Sequence, residues 1–284
     1  MTALTLIDLH PGIATLDDAS PDAFMTSWRR YMNDEGLARH LIRDASIYDF
    51  DRDCFPVIQK ALSREDLIDE AHDNFLFSLR ELEESFTALF DSPEIRVVFY
   101  LGLCNGAGWM TKVRGINHVL IGVEKIIELG WWKKSRMLPL LAHELAHAAH
   151  EALRARWLDE YAGRRYSVMR LYIEGFAEFA AQRMTSRNMR GTEWLFWCEA
   201  HQEEIAAVFR ERIAKEKRTD DFYGDWHSLL GQSDLGYYLG LTFIEDWAKE
   251  TSLKTIGEAI NDDIEKRFLR FLDAAVENSA FRNE

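Results

Sequence analysis

Several things are scarce in this chain, and each scarcity excludes something. Only three of its 284 residues are cysteine (Cys54, Cys104 and Cys198), an odd number spaced too widely for a disulfide framework. A reducing compartment is expected, with the cytoplasm as the default. Positive charge is in deficit: 34 Lys and Arg stand against 48 Asp and Glu, a net charge of −14. Such a field repels nucleic acid and anionic lipid, so neither is expected as a partner. Long hydrophobic runs are missing too. The longest uncharged run, Val97 to Thr111, is broken by glycines, and the opening MTALTLIDLHPGIATLDD has no basic region. Neither a membrane span nor a signal peptide is expected. No repeat or low-complexity linker is visible.

What is present is a hydrophobic content of 47% in a chain long enough for one large domain or two small ones. After a polar, turn-like opening, residues 22 to 91 carry apolar positions at three- and four-residue spacing, which predicts helices. One stripe runs Phe75, Leu79, Leu82, Phe86, Leu89 and stops near Asp91-Ser92-Pro93. The pattern changes in EIRVVFYLGL, where β-branched and aromatic residues dominate and a strand is predicted. Glycines 102, 106 and 108 lead to a second predicted strand, NHVLIGVEKI, so residues 95 to 126 are expected to form a small antiparallel sheet. Helices are expected again from about Met137. The fold class is α+β and mostly helical, with a helical N-terminal region (1–92) packed on the remainder (93–284).

The chemistry concentrates in LLAHELAHAAH, where His143, Glu144 and His147 spell H-E-x-x-H. On a helix the two histidines lie about 40° apart and one turn apart, so both imidazoles can reach one metal ion. Leu138, Leu141, Ala142, Leu145, Ala149 and Ala152 fall on roughly the opposite side as a core stripe that excludes the histidines. His150 lies seven residues beyond His143, about 10.5 Å along the axis. That is too far to share the metal, and it reads as a solvated or cleft-rim residue. Downstream, LYIEGFAEFAAQRM places Glu174 and Glu178 one turn apart. Spacing alone leaves open which carboxylate binds metal and which accepts the N–H of a ligating histidine.

HELAH followed by EGFAE, and then by the glycine- and tyrosine-rich GYYLGLTFIEDW, resembles the gluzincin metallopeptidases. It is most similar to the bacterial family of predicted zinc-dependent proteases of the YjaZ type. The resemblance covers residues 95 to 250 or so and implies a zincin-like fold with a small antiparallel sheet ahead of the HExxH helix. It further implies Zn²⁺ held by His143, His147 and Glu174, with Glu144 as base and Glu178 behind the ligands. The G-Y-x-x-G pattern implies Tyr237 as the oxyanion donor, with Tyr238 the alternative and His227 behind them. Independently of any family, two imidazoles and a carboxylate leave a fourth position for water, whose pKa the metal lowers toward neutrality. Glu144 points about 100° away from His143 and is placed to take that water's proton.

The function expected is zinc-dependent hydrolysis of a peptide or protein substrate, with NHVLIGVEKI as a sheet edge on which substrate could be added as a strand. The alternatives are a non-peptidase zinc amidohydrolase and a non-catalytic zinc-binding regulatory module. The basic group Arg154, Arg156, Arg164, Arg165 and Arg170 is expected to pair with nearby acids such as Asp159 and Glu160, and is given no site role.

Overall fold

The first two helices of the N-terminal region start at side chains that satisfy the first backbone donors. The computed structural model describes residues 4–90, 94–154, 161–188 and 190–277. Ser20 caps α1 (Pro21–Tyr31), accepting from the Ala23 N–H, and Asp34 caps α2 (Glu35–Ala45). After α3 (Phe55–Leu62) comes α4 (Glu65–Leu89), which buries Phe75, Leu82 and Phe86 from the predicted stripe. The chain divides into two compact units, Met1–Ala148 and Ala149–Glu284, and the boundary falls inside one helix, α6 (Lys134–Leu153).

The first unit is built on a four-stranded sheet in the order β1-β2-β4-β3, comprising β1 (Leu4–Asp8), β2 (Ile95–Tyr100), β3 (Gly108–Val113) and β4 (Ile116–Gly122). It is mixed, not antiparallel as the sequence suggested. β1 pairs parallel to β2, and β2 parallel to β4, with Val97 opposite Val119; only β3 and β4 run antiparallel. The reason lies in the connection. β3 crosses to the far edge and turns back at Arg114 (φ 51°) and Gly115 (φ 81°), both left-handed as a two-residue hairpin turn demands. β4 therefore enters between β2 and β3, in the direction of β2. Both inner strands are nearly continuous in buried apolar residues, as strands covered on two faces are.

Three further expectations are corrected. Residues 4–8, taken as part of a turn-like opening, form β1. NHVLIG is an inner strand, so the sheet's edge next to it is β3. The remaining VEKI begins a helix, α5 (Val123–Leu129), once Gly122 ends the strand.

The second unit is helical, with α7 (Gly163–Thr185), α8 (Thr192–Ala200), α9 (Gln202–Ala214), α10 (Leu235–Ala248), α11 (Leu253–Gly257) and α12 (Asn261–Glu277). Its core includes Phe209, Phe222, Phe243 and Phe268, which meet edge to face. Within this unit α7 and α10 cross in direct contact. A Cβ on Gly175 would overlap the backbone of Gly240, and one on Gly240 would stand 2.9 Å from the Gly175 Cα. Two glycines thus let the helices touch backbone to backbone.

Three of the arginines pair with acids, all of them distant in the chain. Arg164 and Arg165 pair with Glu265, Arg165 also with Asp262, and Arg170 with Asp220, while Arg154 donates to Tyr161 and Asn261. Arg156, Asp159 and Glu160 lie outside the described residues. Among the described residues no helix is long and apolar enough to cross a membrane.

Candidate metal centre

α6 is buried all round and not only along one stripe. From Met137 to His150 every side chain is covered, including His143 (5% exposed), Glu144 (7%) and His147 (9%), whereas Ala152 of the expected stripe is exposed. Ala146 and Ala148 on the other faces are small enough to let neighbours close in. The histidines are therefore not on a solvated face, and burying their polar rings is costly unless something engages them.

The rings of His143 and His147 stand at 87° to one another with their Nε2 atoms 3.0 Å apart. Helical spacing alone produces this convergence. Glu174 joins them: each of the three brings one ligand atom within 4.8 Å of the others. Glu174 is half-buried on α7. Glu144 occupies space that β3 leaves open, since a Cβ on Gly108, the first residue of that strand, would stand 3.0 Å from the Glu144 Cγ and 2.9 Å from Leu140 Cδ1. A glycine expected in a turn region thus sets the edge strand against Glu144.

Glu178, one turn beyond Glu174, is buried and its Oε1 accepts from Arg190 Nη1 at 2.6 Å. Arg190 also pairs with Asp234 and lies over the Tyr237 ring, 3.8 Å from its centroid. The sequence carried no signal for Arg190, because it lies outside every motif. The two candidate tyrosines separate cleanly. Tyr238 donates its hydroxyl to Gln202 Oε1 at 2.9 Å, turned toward α9. Tyr237 shares the surroundings of Glu174. Burial, helped by the charge of Glu174 and opposed by Arg190, holds its phenol well above the ordinary range, so it keeps its proton. His227 is half-buried beside Trp226.

His150 is not a rim residue. It is fully buried, its Nε2 lies 3.2 Å from the Tyr172 hydroxyl, and its ring stacks on Phe176 at 3.8 Å. Its angle on the helix resembled that of His143, but its place seven residues further on delivers it to the core of the second unit. In comparisons with known proteins, no family model, no curated protein and no solved structure matches this chain.

Proposed function

We propose that the chain is a zinc-dependent hydrolase of peptide bonds, in which His143, His147 and Glu174 hold the metal and Glu144 is the general base. The observation that carries this reading is that two imidazole nitrogens and a carboxylate oxygen lie within 4.8 Å of one another. Two zinc–nitrogen bonds of about 2.05 Å at a tetrahedral angle hold their donors about 3.3 Å apart. The 3.0 Å between the Nε2 atoms is close to that, and small side-chain rotations cover the difference. Three protein ligands of this type mark a catalytic and not a structural zinc site, because one position stays open. Bound there, zinc supplies a Lewis acid and makes a nucleophile accessible at neutral pH.

The remaining roles fall to the chain's own groups. Glu144 takes a proton from the attacking water and returns it to the leaving amine. Tyr237, which keeps its phenolic proton, donates to the developing oxyanion. Glu178, anchored by Arg190, orients a ligating histidine. A peptide is favoured over a small amide by β3: among the described strands it is the last in the sheet, and it starts against Glu144. An extended peptide paired with it would run toward the base. A zincin-like architecture belongs to the same proposal, supported by an antiparallel edge strand ahead of the HExxH helix and a glutamate helix after it. So does a cytoplasmic setting, supported by three free cysteines.

The test compares wild type with Glu144→Gln, reading zinc per chain by elemental analysis and cleavage of a proteome-derived peptide library by mass spectrometry. One zinc in each protein, with cleavage reduced by about 10² or more in the variant, is expected. A wild type that takes up no zinc on reconstitution, or a variant that cleaves as well as wild type, would overturn the proposal.

A further inference from the structure

Tyr223 precedes α10 and belongs to no motif, yet it is held with unusual care. The residue is 2% exposed, and its hydroxyl has no hydrogen-bond partner among the described residues. Leaving a buried hydroxyl unpaired costs about 1–3 kcal/mol, and a native fold that tolerates this calls for an explanation. The ring cannot turn away easily. The Arg170 guanidinium lies over it at 4.0 Å, and Tyr237 meets it edge to face at 5.4 Å. Gly236 makes room for it, since a Cβ there would stand 2.5 Å from the Tyr223 Cε1.

The frame also says what the hydroxyl is held for. Arg170 and Glu174 are one turn apart on α7 and so share a face. A ring stacked under Arg170 and against Tyr237 therefore lies alongside Glu174.

We propose that Tyr223 is a positioning residue for Glu174, its O–H held to donate to the carboxylate oxygen that the metal does not take. The inference rests on the reading of His143, His147 and Glu174 as a zinc site. A carboxylate with one oxygen tied in this way binds through the other in a fixed orientation, and loss of such an outer partner typically weakens metal binding about 10- to 100-fold. A purely packing role predicts something else: Tyr223→Phe keeps the ring and removes a hydroxyl that has no partner, so metal binding would not change.

The experiment measures zinc affinity by competition with a chromophoric chelator, the visible spectrum of the cobalt(II)-loaded protein, and the melting temperature of the metal-free protein. It uses wild type, Tyr223→Phe, Glu174→Ala and the double variant. Expected for Tyr223→Phe are zinc binding at least 10-fold weaker, an altered cobalt spectrum, and a metal-free melting temperature no lower than wild type. In the Glu174→Ala background the same change should have no further effect on zinc. Affinity within twofold of wild type with an unchanged spectrum would overturn the inference. So would an equal loss in both backgrounds, or weaker binding that merely tracks a fall in metal-free stability. A wild type that binds no zinc at all would instead remove the site on which the inference stands.

Discussion

His143 and His147 meet because one helix brings residue i beside residue i+4, whereas Glu174 and Tyr237 share one neighbourhood because α7 and α10 touch at Gly175 and Gly240, positions 65 apart in the chain. The first arrangement is local and exists wherever α6 is helical. The second is tertiary and depends on two backbones coming into contact. The histidine geometry in α6 should therefore tolerate changes to neighbouring side chains, while the placing of Glu174 and Tyr237 should fail as soon as the crossing is widened.

The sharpest test of the local half is His147→Ala, with Glu174→Ala and Glu178→Ala beside it. Zinc affinity should fall by more than about 10³ for the two ligand variants, and by only about 10- to 100-fold for Glu178→Ala, whose role is indirect. Full zinc occupancy in Glu174→Ala with loss in Glu178→Ala would mean that the carboxylates exchange roles. Next in size is the contrast between the tyrosines: Tyr237→Phe should lower turnover by about 10² to 10³ with zinc retained. Tyr238→Phe should leave turnover alone and cost about 1 kcal/mol of stability through the lost bond to Gln202. Near-wild-type rates in both variants would place the oxyanion donor elsewhere, with His227 next to examine.

Gly175→Ala probes the crossing itself. Denaturant titration should show a loss of about 3 kcal/mol, accompanied by weaker zinc binding as Glu174 is displaced. Wild-type values for both would break the comparison between the halves.

The smallest effect concerns how each unit buries a carboxylate. Glu178 has an arginine; Glu124, fully buried in α5, is held by the backbone N–H groups of Gly102 and Cys104. Burial pushes the Glu124 carboxyl up to about 7 from an ordinary 4.5, with those N–H groups opposing. The folded chain thus binds this proton where the unfolded chain releases it. The contribution of Glu124 to stability is complete below pH 4.5 and is lost as pH rises through about 7. Denaturation curves across that window should slope downward in wild type and less so in Glu124→Gln. An unchanged slope would show that another group dominates.

Legibility followed the same division. The N-terminal helices, β2 and the histidine pair rest on periodicities of three to four residues or of two, and the sequence displays these directly. β1 could not be read, since LTLID is only partly buried and its partner begins at Ile95. Strand direction could not be read either, because a parallel pair of inner strands and a hairpin look alike until the path of β3 is known. His150 was misplaced because angle on a helix says nothing about which neighbour waits there; its stacking on Phe176 depends on the fold of another segment. Arg190 and Tyr223 carry no local pattern at all. The glycines of EGFAE and GYYLG were visible, but that they face each other was not.

At that crossing the chain has little freedom to drift. Every other amino acid begins with a Cβ, and at Gly175 it would meet peptide backbone, which cannot rotate aside as a side chain can. Most apolar positions on α7 and α10 can be exchanged among residues of similar volume. As a lineage of such proteins diverged, overall similarity would fade while Glu174-Gly175 and Gly236-Tyr237-x-x-Gly240 stayed fixed. Distant relatives should then be recognised by those two short words, each inside a helix that follows an HExxH helix, long after the remaining sequence has ceased to align.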